Sequence, residues 1–109
     1  MAVLHLNSEN FEKEVLEAQE PVLVDFYADW CGPCKMMVPV VEKIEQELEG
    51  QAKVCKINVD EAGDIAAEYG VMSIPTFIVF KQGKPTRTTV GMQSEEILKD
   101  MIKEQQWHD

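Results

Sequence analysis

The sequence predicts an α/β fold, a central mixed sheet with element order βαβαβαββα, and three observations carry that expectation. Apolar, β-rich runs alternate along the chain with stretches of helical periodicity. The run Val22-Leu23-Val24-Asp25-Phe26-Tyr27 is apolar almost throughout, as expected of a strand covered on both faces. Two final β-rich runs stand only a turn apart, so the end of the sheet is a hairpin. Alternation requires crossovers, which are right-handed and bury the sheet between helices. Five strands and four helices result.

Residues 3–6 make a short first strand. Asn7-Ser8 then offers capping oxygens to a helix whose apolar side carries Phe11, Val15 and Ala18, and Pro21 ends it. The second strand covers 22–28, interrupted by Asp25. After Cys34, Met37, Val41, Ile44 and Leu48 recur at helical spacing, while the acidic run over 42–49 forms a solvated face. That helix is kinked at Pro39 and ends near Gly50. Residues 52–59 are a strand and 62–69 a short helix closed by Gly70. Strands over 76–80 and 86–90 are joined by Lys81-Gln82-Gly83-Lys84-Pro85. Ser94 caps a last helix with Ile97, Leu98, Met101 and Ile102 facing inward.

At 109 residues, with no repeat, low-complexity tract or linker, residues 1–109 read as one domain. Ten basic residues against twenty acidic ones give a net charge of −10, which disfavours a nucleic-acid partner. No basic leader followed by an apolar core opens the chain and no long apolar span interrupts it, so the expectation is a cytoplasmic protein off the membrane. Three cysteines, an odd number, argue against a disulfide framework and for redox or metal chemistry at the close pair Cys31 and Cys34.

That pair lies in Trp30-Cys31-Gly32-Pro33-Cys34-Lys35, where a strand ends and a helix begins. A thiol at a helix N-terminus meets unpaired backbone N–H groups and aligned peptide dipoles, which favour the thiolate. Cys31 is placed to attack. Cys34, one turn further on and expected to be the more buried, is placed to resolve. The alternatives are a static disulfide, or half of a zinc site, for which one C-x-x-C supplies two of the usual four ligands. Pro33 also suits the first helical turn for its own sake. Asp25, inside a covered strand, must pair or keep its proton with a raised pKa, unless it sits at a solvated strand edge. Pro75 reads as the start of an edge strand, and Gly91 as a close approach or as turn chemistry. Cys55 alternates inward as a small hydrophobe rather than a regulatory thiol. His5, His108 and Trp107 lie near the termini and suggest no chemistry.

Asp25-Phe-Tyr-Ala-Asp-Trp-Cys-Gly-Pro-Cys-Lys35, together with Ile74-Pro75-Thr76, Phe80-Lys-Gln-Gly83 and Gly91, resembles the thioredoxin family over essentially the whole chain. The resemblance implies the thioredoxin fold and a general protein disulfide reductase that passes two electrons by dithiol-disulfide exchange. Cys31 is then the nucleophile, Cys34 the resolving thiol and Asp25 the proton acceptor acting through water. Lys56, as the family's neighbouring buried lysine, modulates Asp25, although a lysine there also snorkels to solvent. Trp30, Gly32, Pro33, Ile74, Pro75 and Gly91 form the target-binding surface, with a cis Ile74-Pro75 bond. No histidine separates the cysteines, which implies a reductant rather than an oxidant.

No cofactor or metal is implied. Electrons would come from a separate thioredoxin reductase, the other partners being disulfide-containing target proteins, and the chain would act as a monomer. The competing reading is a thioredoxin-fold binding subunit of a larger complex with incidental thiols. Departures from the common pattern are Tyr27 in place of a tryptophan, Asp29 beside Trp30, which adds a negative charge near Cys31, and Met72, which widens the apolar rim.

Overall fold

The computed structural model describes residues 2–106. Its strands are β1 (Leu4–Leu6), β2 (Val22–Tyr27), β3 (Lys53–Asn58), β4 (Thr76–Lys81) and β5 (Lys84–Val90), in the spatial order β1-β3-β2-β4-β5. Its α-helices are α1 (Gly32–Glu47), α2 (Gly63–Glu68) and α3 (Glu95–Gln106), and a π-helical segment spans Glu12–Leu16. Parallel pairing joins β1, β3 and β2, whereas β4 runs antiparallel to β2 and β5 antiparallel to β4. The sheet is mixed, as the alternation and the hairpin require.

Alternation along the central strand β2 divides the core. Val22, Val24 and Phe26 face one side, where they meet Phe11 and Val15 from the π-helical segment and Ile65 and Ala66 from α2. Phe11, Tyr69 and Phe80 form an aromatic trio there, with ring centroids 5.1–5.8 Å apart. Leu23 faces the other side, against Met37, Val41 and Ile44 of α1 and Leu98, Met101 and Ile102 of α3. A period of two therefore puts Asp25 on the α1 side, two residues beyond Leu23. Register sets Asp25 opposite Lys56 on β3 and Phe77 on β4. The carboxylate is held in the middle of the sheet.

Three local expectations change. Asn7 does cap, its Oδ1 accepting from the N–H groups of Glu9 and Asn10 at 2.8 Å. The helix that follows is a single π turn, closed by the Glu17 N–H to the Glu12 carbonyl at 3.0 Å, and it stops well before Pro21. In α1, Glu45 is buried rather than solvated, because it lies four residues after Val41 and three before Leu48 on the inward stripe. In α3, Ile97 is exposed: it stands one position, about 100°, to the side of the stripe formed by Leu98, Met101 and Ile102. Trp107 and His108 lie outside the described residues.

The β4–β5 turn is tighter than expected, with Gln82 and Gly83 between the strands and φ of 52° and 81°. Two positive φ values in a two-residue loop match the right-handed twist of the flanking strands. Gly83 has a second reason to be glycine, since a Cβ there would come 2.9 Å from the Leu16 carbonyl oxygen. Gly83→Ala should accordingly destabilise the protein by about 1–3 kcal/mol, read as a lower urea midpoint at unchanged m-value. An alanine variant as stable as the parent would contradict this account of the turn.

Candidate functional site

The site is built on the junction between β2 and α1. The chain turns over Ala28-Asp29-Trp30, with the Cys31 N–H donating to the Ala28 carbonyl at 3.2 Å. Cys31 then takes an extended conformation (φ −88°, ψ 111°) as the N-cap of α1. Its sulfur accepts the Cys34 N–H at 3.2 Å, the role usually filled by a serine or aspartate oxygen. Pro33 occupies the first turn, where a missing N–H leaves no intrahelical bond unmade. One turn of helix brings Cys34 back beneath Cys31, and the two sulfurs are disulfide-bonded across a Cα–Cα distance of 5.2 Å.

Burial does not separate the two cysteines as expected. Cys31 is 4% exposed and Cys34 3%, because the Ile74-Pro75 loop lies over the first sulfur. Their neighbours differ instead. The Ile74 carbonyl stands 3.9 Å from Cys31 Sγ, whereas Cys34 faces inward onto a cavity of about 70 Å³ shared with Asp25, Tyr27, Ala28, Asp29, Lys35, Val38 and Lys56. A cavity of that size, with the carboxyls of Asp25 and Asp29 and the Lys56 ammonium set among apolar walls, has room for water.

Asp25 forms the floor of this cavity. Its side chain is buried, and Oδ1 has no hydrogen-bond partner among the described residues. Burial pushes its pKa up to about 7, against the opposing pull of the Lys56 ammonium. Near neutral pH the carboxyl therefore exchanges a proton readily. Lys56 is half-buried, not buried, with Nζ 4.5 Å from the centroid of the Tyr27 ring. The lysine stem thus runs toward the surface while its ammonium lies over an aromatic face. A second cavity, of about 100 Å³, lies on the far side of Asp25 and is lined also by His5, Val41 and Glu42. His5 reaches it because β1 pairs in register with β3, His5 opposite Lys56.

Ile74-Pro75 and Gly91 come together beside Cys31. Ile74-Pro75 is a cis peptide bond, and the Pro75 carbonyl accepts the Gly91 N–H at 2.7 Å, tying the two loops together. Gly91 has φ of 92°, and among the described residues no atom beyond its two chain neighbours lies within 4 Å of where its Cβ would be. Turn geometry, not internal crowding, requires glycine there. Gly32 is exposed and equally unobstructed. Trp30 is exposed, its Nε1 donating to Asp60 Oδ2 at 2.8 Å.

Sequence reasoning missed the residues that anchor this rim. Asn58 Oδ1 accepts the Asp60 N–H at 2.9 Å, and Asn58 Nδ2 donates to Asp29 Oδ2 at 3.4 Å. The Asn58-Val59-Asp60 end of β3 thus orients both residues preceding Cys31. Its only sequence signal is a polar pair closing an apolar strand. Val38, which walls both cavities, gave no signal beyond its place on α1. Cys55 is fully enclosed, and burial pushes its thiol up to about 12, so it is inert packing. Among the described residues no group of three or more His, Cys, Asp or Glu is placed to hold a metal ion.

A disulfide at a helix N-terminus, backed by a titrating carboxyl and faced by a loop carbonyl, defines a thiol-disulfide oxidoreductase. The thioredoxin family model matches residues 2–104. A thioredoxin of Rickettsia felis is 49% identical over 98 residues, covering 90% of this chain and 93% of that protein. One from Pseudomonas aeruginosa is 45% identical over 96 residues, 88% of this chain and 89% of the relative. Thioredoxin 1 of a Nostoc species is 43% identical over 102 residues, 94% and 95% of the two chains. The chain belongs to the thioredoxin family.

The buried Asp25 makes stability depend on pH. Below about pH 4 the carboxyl is protonated in both states. From there to about 7 the unfolded chain ionises while the native one holds its proton, so stability falls as pH rises and levels off above 7. Asp25→Asn removes this dependence. The variant should gain on the parent across pH 4–7, reaching an advantage on the order of 4 kcal/mol at pH 8. Urea unfolding of the oxidised proteins at pH 4.5, 6 and 8 measures it; parallel curves for the two proteins would refute the burial account.

Proposed function

We propose that the chain is a general protein disulfide reductase, recharged by a separate thioredoxin reductase. The observation that supports this reading best is the unlike surroundings of two equally buried sulfurs: a backbone donor and a loop carbonyl at Cys31, a cavity shared with Asp25 at Cys34.

In the reduced protein the Cys31 sulfur is the thiolate, favoured by the Cys34 N–H and the α1 dipole. It attacks one sulfur of a target disulfide; the S–Cys31 bond forms, the target S–S bond breaks, and the target's second sulfur leaves with the electron pair. Cys34 then gives its proton toward Asp25, through water in the intervening cavity. The resulting thiolate attacks Cys31 Sγ and expels the target's remaining thiolate. Two electrons have passed to the target, and the Cys31–Cys34 disulfide is the product state. Lys56 tunes Asp25 by its charge. Trp30, Gly32, Pro33, Ile74, Pro75 and Gly91 form the docking surface, where the Ile74 backbone pairs with an extended target segment. Contacts of that kind are apolar or through backbone, so many targets fit.

This reading takes residues 1–109 as one domain acting as a cytoplasmic monomer on protein partners, with no bound cofactor. Among the described residues, no helix is long and apolar enough to cross a membrane.

Reduction of an exposed protein disulfide with dithiothreitol as electron source tests it. Cys31→Ser should abolish turnover, whereas Cys34→Ser should accumulate a mixed disulfide through Cys31, visible by intact mass. Full turnover by Cys31→Ser would sink the mechanism. Asp25→Asn should slow release of the mixed disulfide by about tenfold or more near pH 7 and remove the inflection there. A purified thioredoxin reductase with NADPH should replace the dithiol; failure with reductases from several sources would remove that partner while leaving the exchange chemistry standing.

A further inference from the structure

Eight sulfur atoms lie among the described residues, and their exposure is sharply divided. Cys31, Cys34, Cys55, Met37 and Met101 are buried. Met72, Met36 and Met92 are 95%, 64% and 49% exposed. All three exposed sulfurs fall at the redox site. Met72 is two residues before Ile74, whose carbonyl stands 3.9 Å from Cys31 Sγ. Met92 follows Gly91, whose N–H is bonded to the Pro75 carbonyl. Met36 lies three and four residues beyond Pro33 and Gly32 on α1, hence on the same exposed face. The Met72 loop is tied down by the Thr76 hydroxyl, which donates to the Ser73 carbonyl at 2.5 Å.

We propose that Met72, Met36 and Met92 form an oxidation-sensitive rim, a modification site at which peroxide lowers the protein's grip on its targets. A peroxide oxygen accepts the lone pair of the thioether; the O–O bond breaks, an S–O bond forms, and water leaves. Each sulfur is oxidised by two electrons and the peroxide is reduced. In the disulfide form Cys31 and Cys34 have no thiolate to compete and Cys55 is buried, so among the described residues these thioethers are the sulfurs that an oxidant meets. A flexible apolar side chain suits varied target surfaces, and the sulfoxide replaces it with a polar one. The consequence for targets rests on the reductase reading above. The chemistry at Cys31 is untouched, so protein and small disulfides should respond differently.

The experiment treats the oxidised protein with hydrogen peroxide, removes the oxidant, maps sulfoxides by peptide mass, and measures reduction of two substrates. Met72 should be modified first and Met37 and Met101 spared. KM for a protein disulfide should rise by about fivefold, while turnover of a small aromatic disulfide changes by less than about twofold. A Met36→Leu, Met72→Leu, Met92→Leu variant should show no further change in its own protein-disulfide KM after the same treatment. The proposal is overturned if the buried methionines oxidise as fast as Met72, if a fully modified rim leaves the protein-disulfide KM unchanged, or if the leucine variant loses as much as the parent. An untreated protein that fails on both substrates would instead overturn the reductase reading, and the sulfoxide map would still decide whether the rim is the modification site.

Discussion

Cys31 is both the last residue before α1 and the residue that caps it, and the site depends on that coincidence. A helix begins with N–H groups that have no intrahelical partner, and here one of them is satisfied by sulfur. The same bond that starts the helix is the one that stabilises negative charge on the sulfur once the disulfide is reduced. Helix initiation and thiolate formation are therefore one interaction. Cys34 inherits its position from it: with Cys31 at the cap, the third residue of α1 returns beneath it at bonding distance.

The central strand imposes the second constraint. Because β2 is covered on both faces, every side chain on it is committed to one layer or the other, and alternation commits Asp25 to the layer beneath α1. A leucine there would pack; the carboxyl instead carries the penalty of burial and titrates near neutrality. Lys56, directly across the parallel register, lowers that penalty by its charge without removing it, its ammonium lying over the Tyr27 ring. The fold is less stable at high pH for holding a buried carboxyl in the cavity that Cys34 also lines. Such a trade is characteristic of functional positions.

The layers and the sulfur pair were legible in the sequence because they rest on short-range rules. The apolar run 22–27 could only be a covered strand, and the spacing of Met37, Val41, Ile44 and Leu48 could only be a helix. What stayed illegible depends on contacts between distant segments. The single π turn after Phe11 and the tightness of the Gln82-Gly83 loop are coupled through the Leu16 carbonyl, which lies 67 residues from Gly83 in sequence. Likewise, Asn58 and Asp60 support Trp30 from another strand, and Ile97 faces outward by one helical position. The expected difference in burial between Cys31 and Cys34 failed for the same reason. A loop more than forty residues away covers Cys31, and no local pattern around the cysteines announces it.

Equal burial makes the asymmetry of the two sulfurs a matter of electrostatics. Cys31 sees the positive end of α1 and a donated N–H, which favour its anion before any target arrives. Cys34 shares its cavity with a carboxyl, which disfavours a second negative charge while ionised; in the proposed exchange that carboxyl would accept the proton that must leave before Cys34 attacks. The first thiolate is thus stabilised by fixed dipoles that need no partner. On the proposed function the second would arise by proton transfer, useful only after Cys31 has become half of a mixed disulfide and lost its own charge. Two sulfurs of like burial would in this way act in one order under the proposed function.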